Sequence, residues 1–500
     1  MFVNCFCPER ADWRAWCLLL GTALGLRLLF YSGFFGSDEL TYVLHAYRLL
    51  DGDWSVSPYV GGNRYGWSLP VAGLAALLGR AEWVAASYSM ACSVAEIALL
   101  AGLGGVLVGQ RTAWAAAWVL AFTPMHIHLS GRLDADAPMA LAVSASFLLF
   151  CWGELQVRRL GFLAAGLAAG WAFWLKPAAC VYLGVFALLP VVLWRWRSAW
   201  VWAVLGLALM VGANCLWFGV LTGDGAFLFK AMSARRASGY LEAEMAAGAA
   251  RDAPYFYLQY LFFKIHHTGL MGPLALLGLG ALWRQRSAPG ARLTLLWSMG
   301  LLALLSLLPI GWSPLVLIPK QTNYMALFLA PLALLAALGL QRLPRAVWGA
   351  MAVTGLLFAA LLQAQVAVFT ANSRALLERA RLTPEQIFWV SSNAHRAAVF
   401  EMLVRQPLPQ VRSLDLWTPG QPGLAYLDPQ TLAWGRMERF PSVAERPICW
   451  QPAGELQGRA QGAGPALLRG LFQVWPGPLP VPMQALVTPQ PALLFSLESC

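Results

Sequence analysis

Two carboxylates stand side by side directly after the first long hydrophobic run of the sequence. Asp38 and Glu39 lie in the stretch FFGSDELTYVLHAYRLLDGD, which begins at Phe34. The helical spacing of its apolar residues predicts a short helix in the membrane interface, with Ser37 as N-cap and Gly52 at its end. Consecutive helical residues point about 100° apart, so the two carboxylates cannot share one ligand. Because a carboxylate at the lipid boundary is costly, one of them is expected to be functional.

A second acidic cluster occurs in HIHLSGRLDADAPMAL. Asp136 can cap the helix that follows, but capping does not account for Arg132 and Asp134 beside it. His126 and His128 are two residues apart, a spacing that turns their rings to nearly opposite faces of a helix. We therefore expect a charged site here and no metal site.

The elements that position these residues are membrane helices. In this chain 59% of the residues are hydrophobic and 12% are charged, whereas about a quarter of the residues of a soluble protein are charged. The net charge of +11 is scattered between apolar runs and forms no basic domain, so nucleic acid is excluded as a partner. A span needs roughly 20 apolar residues. About eleven runs qualify, near 13–33, 82–109, 112–129, 134–153, 159–175, 177–194, 199–221, 267–283, 292–312, 322–341 and 346–368.

The arginines orient these spans. With the N-terminus in the cytoplasm, the short inside segments between spans carry arginines, as the positive-inside rule requires. The first span has no cleavage site after it and is expected to stay as a helix, in which Arg27 either snorkels or pairs inside the bundle. The outer segments are then 34–81, 222–266 and the chain after about 369. Both acidic clusters fall on this outer face.

All four lysines of the sequence are also predicted on the outer face: Lys176, Lys230, Lys264 and Lys320. Cations there need a reason, and an anionic ligand is one, because an ammonium is a compact charge suited to phosphate. Snorkelling at helix ends is the alternative, and it suits Lys230 and Lys264 better than the other two.

We predict a mainly α protein in two parts. Residues 1–369 form a polytopic transmembrane bundle, whose first outer loop, 34–81, holds a second interfacial helix over 66–80, with Arg64 before it. Residues 370–500 form a small extracytoplasmic α/β domain, with strands in IFWVSS, VRSLDL and GLAYLD and a helix in HRAAVFEMLV. In this domain Cys449 and Cys500 can form a disulfide if the compartment is oxidising.

With these residues in place, the chain resembles the GT-C superfamily of polyprenyl-phosphate-sugar-dependent glycosyltransferases, in the branch of the protein O-mannosyltransferases and the lipid A aminoarabinose transferase. Asp38-Glu39-Leu40-Thr41-Tyr42 is similar to the D-E-x-x-Y of that branch. The resemblance continues through Asp136-Ala137-Pro138, Lys176, and Lys320 to Tyr324, in the expected order over the first 340 residues.

The resemblance implies an inverting transfer of a sugar from a polyprenyl phosphate to an acceptor hydroxyl, with Asp38 as general base and Asp136 orienting the acceptor or a loop. Cations would stabilise the leaving phosphate. The donor site would comprise Lys176, Lys320, Tyr324, Arg64 and Arg132, supported by Glu39, Tyr42 and Asp134.

The same resemblance implies a multi-pass protein of the bacterial plasma membrane that acts on its outer face, with a glycan, lipid or protein as acceptor. No cofactor is obligatory in such a reaction, although a divalent cation can be accommodated near three carboxylates.

Two other functions stay open. A glycolipid flippase would need ionisable residues along a path through the membrane and corresponding halves, which the sequence does not show. A polymerase or ligase that uses lipid diphosphates would depend on arginines of a large outer loop, and Arg235, Arg236 and Arg251 lie in such a loop.

Overall fold

The computed structural model describes residues 13–57, 59–237, 253–312, 315–404, 407–434, 439–475 and 477–498. The predicted architecture, a polytopic helical bundle followed by a small sheet domain, is confirmed. The helices up to the start of the sheet domain are α1 Trp13–Leu29, α2 Asp38–Leu50, α3 Tyr65–Leu78, α4 Glu82–Leu103, α5 Gly105–Val108, α6 Gln110–Ala121, α7 Pro124–Ser130, α8 Asp136–Gln156, α9 Arg159–Leu175, α10 Leu183–Ala187, α11 Leu189–Leu193, α12 Val201–Thr222, α13 Phe227–Ala237, α14 Phe256–Phe262, α15 Met271–Trp283, α16 Pro289–Leu295, α17 Leu301–Leu307, α18 Ala326–Leu340 and α19 Arg345–Leu382.

Within these described ranges, six helical segments are long and apolar enough to cross a membrane. They are Glu82–Val108, Asp136–Gln156, Ser198–Thr222, Pro289–Leu307, Thr322–Leu340 and Arg345–Leu382. Four shorter apolar segments of 10–17 residues accompany them: Tyr65–Leu78, Arg159–Leu175, Pro177–Leu193 and Met271–Trp283.

Several predicted spans are interrupted instead of continuous. The 112–129 run divides into α6 and α7 at Pro124, and the 177–194 run consists of a 3₁₀ turn that begins at Pro177, followed by α10 and α11. Proline lacks an N–H and favours the first turn of a helix, so each proline starts a new segment. A π-turn at Leu296–Gly300 likewise separates α16 from α17.

Arg27 pairs inside the bundle, which confirms one of the two predicted alternatives. Its guanidinium lies 2.6 Å from His126 Nδ1 and donates to Ser93 Oγ at 2.8 Å. His126 Nε2 in turn lies 3.0 Å from Glu96, which also accepts a hydrogen bond from Ser144. Every charged group of this network therefore has a polar partner, as a low-dielectric surrounding requires.

Small residues let the helices approach closely. Between α9 and α12, a Cβ on Gly166 would lie 2.0 Å from the carbonyl oxygen of Ala203, and one on Gly206 would lie 2.4 Å from that of Leu163. Contacts of this kind are typical of membrane helix pairs, because close backbone packing supplies much of their association energy.

The C-terminal domain contains a five-stranded mixed sheet in the order β4-β3-β5-β7-β6, separate from the β1–β2 hairpin of the membrane part. The predicted strands and the predicted helix are all present, whereas β6, β7 and α22 were not predicted. The elements are β1 Pro309–Trp312, β2 Leu315–Leu317, β3 Phe388–Val390, α20 Ser392–Val404, β4 Val411–Ser413, β5 Leu424–Leu427, α21 Pro429–Trp434, β6 Gln451–Leu456, α22 Ala463–Gln473, α23 Val481–Gln484 and β7 Ala492–Ser496.

Helix α19 joins the two parts without a break. Its 38 residues correspond to a length of about 57 Å, enough to cross the membrane and continue into the sheet domain. The predicted boundary between residues 369 and 370 falls within it, and the division into domains stays a prediction. Gln363 of α19 bonds to both parts of the protein. Its side chain accepts the Gly464 N–H of the sheet domain and donates to the Tyr31 carbonyl of the membrane part.

One cysteine of the outer domain, Cys449, is disulfide-bonded. The other, Cys500, lies outside the described residues.

Candidate active site

The loop before α2 is built around the Glu39 carboxylate. Glu39 Oε1 accepts the N–H groups of Phe35, Gly36 and Ser37 at 2.6, 2.8 and 3.2 Å. Ser37 occupies the predicted N-cap position but makes no side-chain cap bond. The Leu40 N–H, which the Ser37 side chain could have capped, bonds instead to the Ser37 backbone carbonyl at 3.2 Å.

Asp38 points the other way, as the helical geometry predicted. Its side chain is 47% exposed, whereas Glu39 is buried. Tyr59 donates a hydrogen bond of 2.5 Å to Asp38 Oδ2, and Arg396 Nη1 lies 3.9 Å from Oδ1. The carboxylate is thus held by a phenol on one side, faces a guanidinium on the other and stays accessible between them.

Tyr42, one turn after Asp38, lies at the centre of the charged groups. Its buried ring lies under the Arg64 guanidinium, whose carbon is 4.2 Å from the ring centroid. Burial raises the pKa of Tyr42 well above its ordinary value, the Arg64 cation opposes this shift, and the carboxylates of Asp38 and Asp136 add to it. The two acidic clusters, about a hundred residues apart in sequence, therefore meet in one site.

The second acidic loop lies against the first. Gly33 N–H donates to Gly131 O at 3.0 Å, which joins the two loops through their backbones. Arg132 lies between the acids, with Nε 3.6 Å from Asp134 Oδ2 and Nη2 4.0 Å from Glu39 Oε2. This arginine is therefore engaged with carboxylates of both loops.

Asp134 Oδ1 accepts the N–H of Asp136 at 3.0 Å, at the start of α8. The sequence suggested that Asp136 would cap the helix, but Ala135 occupies the N-cap position and Asp136 is the first residue of α8. Burial and the neighbouring charge of Asp136 raise the pKa of Asp134 to about 7, while Arg132 opposes the shift. One carboxylate of the site thus titrates near neutral pH.

Asp136 forms a buried ion pair with Lys176. Lys176 Nζ donates to Asp136 Oδ1 at 2.7 Å, and Asn323 Nδ2 donates to Oδ2 at 3.0 Å. The Lys176 ammonium also lies 4.9 Å from the centroid of the Tyr324 ring. Residues from α8, from the end of α9 and from the turn before α18 therefore meet at one point.

Lys320 is buried after the β1–β2 hairpin, and its Nζ donates to Ile318 O at 3.0 Å. The other two predicted outer lysines lie elsewhere: Lys230 pairs with Asp224 at the surface and Lys264 stacks on Tyr260. Of the four lysines, Lys176 is the one with a direct bond to the acidic cluster.

Helix α20 of the outer domain covers this site. Asn393 donates to Gly36 O at 2.8 Å and contacts Phe35 O at 3.4 Å, so it holds the loop that Glu39 organises. Phe400 of the same helix packs against Phe34, with ring centroids 5.9 Å apart. The outer domain is therefore part of the wall around Asp38.

Among the residues that the structure describes, no three His, Cys, Asp or Glu side chains are grouped closely enough to hold a metal ion. His126 is part of the Arg27 network inside the bundle. The arginines predicted for a diphosphate site cannot be placed, because Arg251 and the side chains of Arg235 and Arg236 lie outside the described part.

Sequence reasoning gave no role to four residues of this site: Tyr59, Asn323, Asn393 and Arg396. Asn323 lies within the quoted KQTNY stretch and was therefore within reach of the prediction. Tyr59 had no signal beyond its place in the first outer loop. Asn393 and Arg396 belong to a domain that shows no motif, and only the docking of α20 reveals them.

Comparisons with known proteins agree on one group of enzymes. Residues 67–218 match the family model described as dolichyl-phosphate-mannose-protein mannosyltransferase. A Pseudomonas aeruginosa protein, undecaprenyl phosphate-alpha-4-amino-4-deoxy-L-arabinose arabinosyl transferase, is 32% identical over 202 residues. That match spans 37% of this chain and 36% of the relative, so about a third of each.

The similarity to solved structures extends over most of the fold. ArnT from Cupriavidus metallidurans bound to undecaprenyl phosphate superposes with a TM-score of 0.58 at 17% identity, over 85% of this chain and 95% of that one. The Archaeoglobus fulgidus oligosaccharyltransferase AglB, in complex with an inhibitory peptide and a dolichol-phosphate, gives 0.54 at 12% identity, over 85% and 72%.

Proposed function

We propose that the chain is an inverting glycosyltransferase of the GT-C superfamily, whose fold it resembles, and that it uses a polyprenyl-phosphate sugar. The acceptor is a hydroxyl of a glycan, lipid or protein. The observation that carries the proposal is Asp38, a half-exposed carboxylate that shares its surroundings with Arg64 and the Asp136–Lys176 pair.

In the proposed reaction, Asp38 takes the proton of the acceptor hydroxyl while the hydroxyl oxygen bonds to the anomeric carbon of the sugar. The bond from that carbon to the phosphate oxygen breaks at the same time, and the phosphate leaves with the electron pair. No general acid is needed, because a phosphate is a stable anion. Attack from the face opposite the leaving group inverts the configuration.

The negative charge on the leaving phosphate grows in the transition state, and preorganised cations there are worth more than in water. We assign this role to Lys176, Arg64 and Lys320, with Tyr324 beside Lys176 as a hydroxyl donor. An ammonium has three N–H donors, and Asp136 engages Lys176 through one oxygen, so further donors remain for a phosphate. Asp136 and Asn323 keep that lysine in place.

Arg132, Asp134 and Glu39 hold the two loops together and thereby fix where Asp38 lies relative to the cations. The mechanism routes no step through a metal ion. The described residues do not form a site for a divalent cation, because Asp38, Asp134 and Asp136 are not grouped closely enough to hold one, so chelator treatment of the purified protein should leave transfer unchanged.

We further propose that the protein lies in a bacterial plasma membrane, with its N-terminus in the cytoplasm and with Asp38 and the sheet domain outside. The arginines of the short segments at the opposite face support this orientation. Single cysteines placed at exposed positions of α2 and the sheet domain should react with a membrane-impermeant maleimide in intact spheroplasts. Labelling only after lysis would contradict the orientation.

The central experiment is a transfer assay in reconstituted membranes with polyprenyl-phosphate sugars. Asp38→Asn should reduce transfer by about 10²–10⁴-fold, the usual contribution of a positioned base. Asp53→Asn is the matched control, because Asp53 is an exposed carboxylate just after the same helix and should be dispensable. Full transfer by Asp38→Asn would refute the proposal, as would transfer from lipid diphosphates alone or accumulation of glycolipid in vesicles without a new glycosidic bond.

A further inference from the structure

The membrane face opposite the candidate active site holds a second buried carboxylate with cationic partners. Helix α8 begins at Asp136, and Glu154 comes 18 residues later, about 27 Å along the axis, which is close to the thickness of the hydrocarbon core. Glu154 is fully buried, and its oxygens are engaged by Arg195 and Arg197 on one side and by the Trp200 indole on the other.

The contact with Glu154 occupies only some of the N–H donors of Arg195 and Arg197. Their side chains are 40% and 29% exposed, and each guanidinium has five N–H donors, of which Glu154 can take one or two. Arg158 and Arg159, on the neighbouring α8–α9 connection, are exposed as well. Four arginines against one carboxylate leave a surplus of positive charge at this point.

An apolar groove adjoins the charged cluster. Trp196 lies between the two arginines in sequence, lines the groove and is 66% exposed, and Trp200, which bonds Glu154, also lines it. The Phe150 ring packs against Trp200 and Phe186, with centroids 5.6 and 5.4 Å apart, so an aromatic wall runs from the Glu154 level toward the membrane centre. The opposite side consists of small and aliphatic residues of α9 and α12, namely Ala165, Gly166, Ala169, Ala203, Val204 and Leu207.

We propose that this groove and its arginines form a binding site for an anionic phospholipid of the leaflet opposite the active site. The phosphate is held by Arg195 and Arg197, which Glu154 orients, and one acyl chain lies along the Phe150 wall. Guanidinium groups suit phosphate because they can donate two parallel hydrogen bonds to it. Exposed tryptophans such as Trp194 and Trp196 favour the headgroup level, which places the arginines at the depth of lipid phosphates. This site does not depend on the proposed transferase activity.

Native mass spectrometry of the delipidated full-length protein with phosphatidylglycerol, and with phosphatidylcholine of the same acyl chains, tests the proposal. The wild-type protein should bind phosphatidylglycerol at least about tenfold more tightly, because the choline of phosphatidylcholine brings a positive charge next to the surplus of arginines. The Arg195→Gln/Arg197→Gln double variant should lose this preference. Arg284→Gln/Arg286→Gln removes the same charge from exposed arginines at the end of α15 and should keep it.

Because the double variant leaves Glu154 without its ion pairs and can destabilise the fold, a second variant keeps the charged cluster intact. Val204 lines the groove and is 61% exposed, so Val204→Trp should fill the chain site and weaken phosphatidylglycerol binding about tenfold while the melting temperature stays unchanged. Equal binding of both lipids, or an equal loss in the Arg284/Arg286 control, would each overturn the proposal.

Discussion

Tyr59 donates a 2.5 Å hydrogen bond to Asp38, from a turn that follows α2 to a carboxylate in its first turn. A hydrogen bond to a charged group contributes about 1.5–3 kcal/mol, and here it also fixes which oxygen of Asp38 stays open to the acceptor. Tyr59→Phe should therefore lower kcat by roughly 10- to 100-fold, with little change in the KM for the donor.

Tyr47→Phe is the matched control. Tyr47 lies on α2, the helix of Asp38, but its hydroxyl donates to the Ala81 carbonyl at 3.0 Å and not to Asp38. Steady-state kinetics in reconstituted membranes measure both variants. If both lose activity equally, the Tyr59 bond has no special role in positioning the base.

The Asp136–Lys176 pair should show separate effects on stability and activity. Lys176→Met leaves a buried carboxylate without its cation and should cost about 3–5 kcal/mol of unfolding free energy. Adding Asp136→Asn removes the unpaired buried charge and should restore most of the stability. Transfer should stay low, because the proposed phosphate site still lacks the Lys176 ammonium. Thermal unfolding in detergent and the transfer assay measure the two effects. Full transfer by the double variant would show that the pair is only structural.

Stability should decrease with rising pH because of Asp134. Its pKa is about 7 in the folded protein against about 3.9 in an unfolded chain, so the folded state holds a proton that the unfolded chain has released between these values. Stability from this group is therefore lost progressively from about pH 4 to pH 7, by at most roughly 4 kcal/mol, and changes little above that.

Asp134→Asn keeps an oxygen for the Asp136 N–H and should flatten this part of the profile of melting temperature against pH. The exposed Asp53, whose pKa is lowered by its hydrogen bonds to Ser55, titrates below the window, so Asp53→Asn should keep the wild-type slope. An unchanged slope in Asp134→Asn would assign the pH dependence to another group.

Gly36 should be intolerant of a side chain. It has a φ of +89°, and a Cβ there would lie 2.6 Å from Asn393 Nδ2, the atom that holds the loop to α20. Gly36→Ala should reduce transfer at least about tenfold and raise amide hydrogen exchange in α20, because backbone strain and the clash act together.

The control for this variant is Gly52→Ala. Gly52 has a similar φ of +81° but no atom within 4 Å of the added Cβ, so it should show the cost of strain alone, about 1 kcal/mol of stability, with transfer retained. Equal losses in the two variants would mean that docking of α20 is unimportant for activity.

The sequence predicted a helical membrane part because apolar length is a strong signal, and six of the about eleven predicted runs are helices long enough to cross a membrane within the described residues. It also predicted the separation of Asp38 from Glu39, which follows from helix geometry alone. It did not predict that the Glu39 carboxylate accepts the N–H groups of the loop before α2, or that Asp134 accepts the Asp136 N–H. Both bonds depend on how each loop folds back on its own carboxylate, which the residue pattern does not record.

The contacts made by Tyr59, Asn393 and Arg396 could not be predicted, since they join segments that are 21 to more than 350 residues apart. Such contacts depend on how the outer domain docks, and no local pattern in α20 records it. The interruptions at Pro124 and Pro177 were visible in the sequence, but apolar length dominated the prediction of continuous spans there.

Helix α19 runs from the membrane part into the sheet domain without interruption, so the chain has no loop there about which the domain could hinge. Gln363, partway along α19, also bonds to the sheet domain through the Gly464 N–H. If the domain stays docked, the acceptor of the proposed reaction reaches Asp38 from the side, between α20 and the loop around Gly36, and the width of that gap limits the size of the acceptor.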